Sequence, residues 1–173
     1  MYGQIAEFEN AEGLLAAAHR AYAEGYRRMD AYTPLPVEGL AEAIGIRHTW
    51  VPLIVLLGGL TGCVGGFFLQ YWIAVSDYPI NVGGRPLNSW PSFIPVTFEL
   101  TILLAALSAV LGLFAVCRLP TPYHPVFNVP QFQMASQNRF FLCIESRDAR
   151  FDPDGTRRFL SSLRPQGVYD VEP

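Results

Sequence analysis

The sequence predicts an α+β protein in which two membrane-spanning helices are inserted between the two halves of a small folded domain. Three observations lead to this fold class. Hydrophobic residues make up 51% of the 173 residues and charged residues only 16%, a balance unlike that of a soluble globular chain. The apolar residues concentrate in two long stretches near the middle of the chain. On each side of these stretches, short strand-like and helix-like segments alternate.

Residues 1–48 form the first half of the predicted domain. The side chains of Tyr2–Phe8 alternate between the two faces of an extended segment, which predicts a strand. In Ala11–Tyr26 the apolar residues recur at helical spacing, and Arg27–Tyr32 predicts a second short strand. This half is therefore predicted to be a β-α-β unit.

Two apolar stretches are predicted to cross the membrane. The first runs from about residue 50 to 75 without a formal charge, and the second, from about 93 to 117, contains one ionisable residue, Glu99. At 1.5 Å per residue, each stretch is long enough to cross a hydrocarbon core about 30 Å thick. Residues 49–118 are thus predicted to be a transmembrane helical hairpin with an outer loop at residues 76–92.

The predicted orientation places both termini in the cytoplasm. An even number of spans puts both termini on one side, and Arg47 and Arg118 flank the ends that lead to them. Arg85 is the one cation in the connecting loop, so the charge count alone does not decide the orientation. Met1–Asn10 contains no basic residue and lacks the pattern of a secretory signal. We therefore expect the loop to face outward.

Residues 119–173 are predicted to supply a connector and the second half of the domain. Four prolines between residues 120 and 130 favour a stiff connector without a long helix. Arg139–Glu145 predicts a strand, Pro153–Leu163 a helix and Gly167–Val171 a last strand. Neither β-α-β unit can cover its sheet alone. Together they predict one four-stranded sheet with two helices on one face, a ferredoxin-like split β-α-β sandwich.

Small residues recur at four-residue steps in the first span, at Gly58, Gly62 and Gly66. Small side chains at this spacing let helix backbones approach closely. Two interpretations are open at this point. The glycines could serve only the contact between the two spans. Alternatively, because Gly59 and Gly65 raise the number to five, a second face of the span could contact another subunit.

The composition argues against several classes of function. A formal charge of -3 leaves no basic surface for nucleic acid, so we expect no nucleic-acid partner. The three cysteines form no Cys-x-x-Cys motif and neither span contains a histidine, so ligand sets for zinc, iron–sulfur clusters and membrane haem are lacking. We therefore expect the chain itself to bind no cofactor or metal. The histidines, each expected to be an ordinary solvated or hydrogen-bonded side chain, are His19, His48 and His124.

Three regions of the sequence are similar to a known family. They are Met29–Leu40 (MDAYTPLPVEGL), Tyr78–Glu99 (YPINVGGRPLNSWPSFIPVTFE), and Pro122–Pro130 (PYHPVFNVP) together with Arg139–Glu145 (RFFLCIE). These regions resemble the ActD family, the D subunit of bacterial alternative complex III. The similarity runs nearly from end to end, and the central motif is long and unusual.

The resemblance implies a membrane subunit of a complex that oxidises quinol and passes electrons to a periplasmic acceptor in a bacterial respiratory or photosynthetic chain. It implies a position in the bacterial inner membrane, within the lipid bilayer. The implied partners are a multihaem cytochrome, an iron–sulfur subunit and large polytopic subunits that carry the quinol site. In that family haem c and the iron–sulfur clusters belong to the partners. The leading hypothesis is a non-redox structural and assembly subunit that is not itself an enzyme.

Glu99 and the outer loop supply the remaining candidate site residues. A direct contribution of Glu99 to proton transfer or quinone chemistry is an alternative function. In the loop, Arg85 with Asn88 and Trp90 is a candidate for contact with another subunit, and contact of Arg85 with lipid phosphates is the alternative. A stand-alone membrane-anchored small-molecule sensor is a third hypothesis, which rests only on analogy with other proteins of the fold.

Overall fold

The computed structural model describes residues 1–46 and 48–173, so Arg47, which was predicted to flank the hairpin, lies outside the described residues. The α-helices and β-strands follow one another in this order: β1 (Gly3–Phe8), α1 (Ala11–Glu24), β2 (Met29–Tyr32), α2 (Leu40–Ala43), α3 (Val51–Trp72), α4 (Ile94–Val116), β3 (Phe140–Glu145), α5 (Pro153–Ser162) and β4 (Gly167–Val171). The chain divides into two compact units, of which the first comprises Met1–His48 with Pro122–Pro173 and the second Thr49–Thr121.

The first unit is built on a four-stranded antiparallel sheet with the strand order β2-β3-β1-β4. In the centre, β1 pairs with β3, from Gly3 opposite Glu145 to Phe8 opposite Phe140. The two central strands therefore come from opposite sides of the long helices in the chain. The predicted α+β class with a four-stranded sheet is confirmed.

One face of the sheet is covered by α1 and α5. The side chain of Asn10 caps α1 by accepting a hydrogen bond from the backbone N–H of Gly13 at 2.7 Å. The helix ends at Gly25, whose φ of 105° is in the left-handed region that favours glycine. The core between the helices and this face includes Ala6, Leu14, Ala18, Leu142, Ile144 and Leu160.

The proline-rich connector covers the other face of the sheet. It contains no long helix, but it forms two short 3-10 helices, Pro125–Asn128 and Pro130–Ser136. The ring of Phe132 packs edge-on against Phe141 and Tyr32, with ring centroids 5.5 and 4.9 Å apart. The sequence predicts only a stiff connector here, and the structure shows that this segment completes the domain. The second core comprises Ile5, Val126, Val129, Phe132, Ala135, Phe141, Cys143 and Val171.

The second unit is a pair of long apolar helices. A π-helical turn at Ile73–Asp77 extends α3, and a 3-10 turn at Trp90–Phe93 precedes α4, so each continuous helical segment has 27 residues. By length and composition, both segments could cross a membrane. Because Gly112 near the end of α4 contacts Ile54 near the start of α3, the two helices run antiparallel.

We expect Phe132→Ala to lower the free energy of unfolding of the first unit by about 3 kcal/mol, because removing a buried phenylalanine ring leaves a cavity. Phe132 is 7% exposed. The matched control is Phe127→Ala in the same connector, where the ring is 71% exposed and the expected loss is below about 1 kcal/mol. Pulse proteolysis of the full chain in detergent and urea measures both values. Equal losses would contradict the role of the connector as part of the core.

Candidate functional site

The predicted glycines bring α3 and α4 into close contact. Gly58, Gly62 and Gly66 all face α4, and a Cβ added to any of them would overlap with atoms of that helix. At Gly62 the added carbon would meet the carbonyl oxygen of Leu100 and lie 2.9 Å from the Cα of Thr101. Because these are backbone atoms, they cannot move aside as a flexible side chain does. The helices must separate before a larger residue fits at Gly62.

The contact within the chain also explains the number of glycines in α3. Gly59 faces α4 too, since a Cβ there would lie 3.6 Å from the Cβ of Ala105. Among the glycines of α3, only Gly65 faces open space within the described part of the chain. The structure therefore supports the interpretation in which the two spans pack on each other. Contact of the three predicted glycines with another subunit stays a prediction, and their number no longer argues for it.

Gln70 adds a polar contact between the two helices that the sequence analysis missed. Its Nε2 lies 3.0 Å from the carbonyl oxygen of Gly66, 3.1 Å from that of Phe93 and 3.1 Å from the Oγ1 of Thr97, and its two N–H groups are shared among these three acceptors. A polar side chain between apolar helices needs such partners because an unpaired amide there is costly. The sequence carried a signal, since Gln70 is the one amide side chain in its span.

Glu99 lies on the face of α4 that is turned away from α3. The residues that contact α3 include Leu100, Leu104 and Ser108. An α-helix turns by about 100° per residue, which places Glu99 on the opposite side from this set. Its side chain is exposed, and no ion pair joins it to any residue that the structure describes.

The surroundings of Glu99 on α4 are apolar. The neighbouring threonines are engaged on the side that faces α3, since Thr97 accepts the hydrogen bond from Gln70 and Thr101 donates to the carbonyl oxygen of Thr97 at 2.7 Å. Within the described part of the chain, this carboxyl group has no ion-pair partner. The residues three and four positions away from it are Pro95, Val96, Ile102 and Leu103.

In the outer loop the structure brings Arg85 together with two serines. The Nε of Arg85 donates to the Oγ of Ser89 at 2.8 Å, and one Nη of the same guanidinium donates to the Oγ of Ser92. The side chains of Asn88 and Trp90 are exposed, and the indole of Trp90 is 55% exposed. The three residues predicted to contact another subunit therefore share one loop. Their contact with a partner stays a prediction.

The first unit contains a polar cluster that the sequence analysis missed. The Nε2 of His124 lies 3.3 Å from the hydroxyl of Tyr2, which donates to the Oε1 of Glu145 at 3.4 Å. Burial, reinforced by the negative charge of Glu145, raises the pKa of Tyr2 to about 12, so the phenol stays protonated at neutral pH. Burial also raises the pKa of Asp30. His124 links the connector to the sheet, whereas the sequence assigned it only a solvated or hydrogen-bonded state.

The described part of the chain contains no group of three or more His, Cys, Asp or Glu side chains that could hold a metal ion. Cys63 and Cys117 are exposed and Cys143 is buried in the sheet. Burial raises the pKa of the Cys143 thiol to about 12, so it stays protonated at neutral pH. His19 and His48 are exposed.

We expect Gly62→Leu to force α3 and α4 apart and to lower the melting temperature of the full chain in detergent. Gly65→Leu is the matched control, because the same side chain there projects into open space and should leave the melting temperature nearly unchanged. Circular dichroism during heating measures both transitions. The close contact at Gly62 would be refuted by equal melting temperatures for the two variants.

Comparison with known proteins places this sequence in a family. Residues 2–170 match the family model described as "Alternative complex III, ActD subunit". A search of curated proteins found no match. The family match extends over both units, so it does not rest on the apolar helices alone. The chain therefore belongs to the ActD family and is a D subunit of alternative complex III, an oxidoreductase complex.

Proposed function

We propose that this chain is a non-redox structural and assembly subunit of alternative complex III. Its family identifies the other subunits of that complex as its partners. We assign the contacts more narrowly to a multihaem cytochrome, an iron–sulfur subunit and large polytopic subunits that carry the quinol site. In this proposal the helix pair packs among the partners' membrane helices, and the first unit braces them from the cytoplasm.

The side-chain chemistry supports a role without bound redox groups. Iron–sulfur clusters are held by sets of cysteine thiolates, whereas Cys143 is a buried, protonated thiol in the sheet. Membrane haems need axial ligands such as histidine, and α3 and α4 contain none. We therefore assign haem c and the iron–sulfur clusters of the complex to the partner subunits.

We further propose that α3 and α4 form a transmembrane hairpin inserted into a ferredoxin-like domain. The pairing of β1 with β3 is the observation that carries this step. Because the strands before and after the helices lie side by side, both ends of the helix pair must reach the same side of the membrane. Two crossings meet this requirement, whereas one or three do not. The strand order β2-β3-β1-β4, with α1 and α5 on one face, supports the ferredoxin-like description.

The proposed orientation has both termini in the bacterial cytoplasm. It is supported by comparing the segments that each of the two orientations would require to cross the inner membrane. The opposite orientation requires translocation of the whole first unit, Met1–His48 with Pro122–Pro173. The proposed orientation requires only the short segment between α3 and α4 to cross, with Arg85 as its one cation. We therefore propose a multi-pass protein of the bacterial inner membrane with the loop outside.

Proton transfer through Glu99 is a second candidate function. The carboxyl group is exposed in an apolar setting without a partner in the described residues, which is typical of functional groups in membrane helices. A relay also needs a second group that accepts the proton, and the positions within one turn of Glu99 on its face are apolar. We therefore favour the structural role. The sensor hypothesis is weaker still, because the family match points to a complex subunit.

Native gel electrophoresis of mildly solubilised membranes tests the proposed function. We expect the chain to migrate with the multihaem cytochrome and iron–sulfur subunits, and the haem absorbance to stay with those subunits when the chain is separated from them. The chain purified alone should show no haem absorbance after stringent washing. Migration as a free homo-oligomer, or a stoichiometric haem signal in the separated chain, would overturn the proposal.

A further inference from the structure

We propose that the face of α4 opposite α3 docks against a transmembrane helix of another subunit of the complex, and that this helix presents an arginine or lysine to Glu99. The inference rests on the proposed function, because it takes α3 and α4 to be membrane helices of alternative complex III. It goes further by naming the surface of the chain that meets a partner and the chemistry of the partner that meets it.

The docking face is apolar except for Glu99. Lipid chains would solvate a wholly apolar face without any protein partner, so its apolar character alone identifies no occupant. The carboxyl group distinguishes this face, since it is the one formal charge in either helix. The exposed apolar side chains on the same face are Val96, Ile102, Leu103, Ala106, Val110 and Leu113.

Glu99 lies well inside the helix pair. It follows Ile94 by five residues, which is about 8 Å along the axis of α4. Its neighbour Leu100 contacts Gly62 and Gly66, which lie in the interior of α3. An ionised carboxylate at this position requires a compensating charge or hydrogen-bond donor, because lipid chains supply neither.

The described residues of the chain do not supply that charge. The one cation in the outer loop is Arg85, whose guanidinium is hydrogen-bonded to Ser89 and Ser92. Ser92 precedes Glu99 by seven residues, or about 10 Å of helix. The helix α3 contains no basic residue and packs on the opposite side of α4. Among the described residues no group compensates an ionised Glu99, so we assign the compensating group to another subunit.

Charge complementarity also decides against a second copy of this chain on the same face. A symmetric contact between two such faces would bring two Glu99 carboxyl groups towards each other in an apolar setting, which is unfavourable for like charges. A helix with a cation at the same depth instead neutralises the carboxylate while its apolar residues cover the rest of the face. The geometry thus favours a different subunit with a basic residue in a membrane helix.

The test replaces Glu99 in an affinity-tagged full chain that is expressed in place of the native subunit. We expect Glu99→Gln, which keeps the shape but removes the charge, to reduce the partner subunits retained per chain by about tenfold. Glu99→Leu should reduce retention at least as much, and Glu99→Asp should retain most of it. Val64→Gln is the control, because it introduces the same amide on an exposed position of α3 and should leave retention unchanged. Immunoblots of membranes verify that every variant is inserted equally.

Each outcome bears on one proposal. If the wild-type chain does not co-purify with the partners, the proposed function fails. If the wild-type chain and all Glu99 variants are retained equally, the proposed function stands and this inference is overturned. If the glutamine variant retains the partner subunits and the leucine variant does not, Glu99 contacts a neutral hydrogen-bonding group and not a cation. This result would also overturn the inference.

A photo-crosslinking residue at position 103, four residues from Glu99 on the same face, identifies the occupant in the assembled complex. We expect the cross-link to join a membrane segment of another subunit, within one helical turn of an arginine or lysine. A cross-link only to lipid, or to a second copy of this chain, would contradict the inference.

Discussion

The pairing of β1 with β3 is the interaction on which the rest of the structure depends. The two strands are paired over six residue positions although α3 and α4 lie between them in the chain. At Gly3 the strands approach so closely that an added Cβ would overlap with the carbonyl oxygen of Ile144. Both cores of the first unit use this pair, because Ala6 and Leu142 face the helices whereas Ile5 and Phe141 face the connector. Loss of the pairing would therefore open both faces of the domain.

The packing of the helix pair is compatible with this constraint. Joining two distant strands costs chain entropy, although that cost grows slowly with the length of the loop between them. The antiparallel contact of α3 and α4 brings the start of one helix beside the end of the other, as the contact of Ile54 with Gly112 shows. This arrangement is stabilised by the glycines, which allow the helices to approach, and by the hydrogen bonds of Gln70 at the other end of the pair. Within the second unit, the start of α3 and the end of α4 therefore lie side by side.

Local sequence pattern was enough to predict the four strands and the four longer helices, but not the short helix α2. The long-range packing between these elements could not be predicted from local pattern. The segments Arg139–Glu145 and Pro153–Leu163 predicted β3 and α5 to within one residue at each end, because the signals lie within the segments themselves. The covering of the sheet by Phe132 could not be predicted, since a proline-rich connector shows its stiffness but not the surface on which it lies. The bonds of Gln70 depend on the relative register of two helices, and the cluster around His124 depends on strands far apart in the chain.

In the candidate site, too, some features could be predicted from local sequence pattern and others could not. Glu99 was identified from the sequence by its depth in an otherwise uncharged span. Only the contacts of α4 show that it faces away from α3. The five glycines were recognised from their spacing, but the assignment of Gly58, Gly62 and Gly66 to contacts within the chain required the partner atoms. Spacing alone could settle neither the direction in which Glu99 faces nor the contacts of the glycines, because spacing defines a face of a helix and not what lies against it.

Labelling with a membrane-impermeant thiol reagent is the most direct test of the claim that both halves of the sheet lie on the cytoplasmic side of one hairpin. Single cysteines at three exposed positions, Val82→Cys, His19→Cys and Arg158→Cys, would be introduced into a chain whose native cysteines are replaced by alanine. Val82 lies in the outer loop, His19 in α1 and Arg158 in α5, so the last two report on the two halves of the sheet. The predicted result is labelling of Val82→Cys in intact cells and of the other two only after lysis. Labelling of His19→Cys and Arg158→Cys from opposite sides of the membrane would contradict the shared sheet and the hairpin.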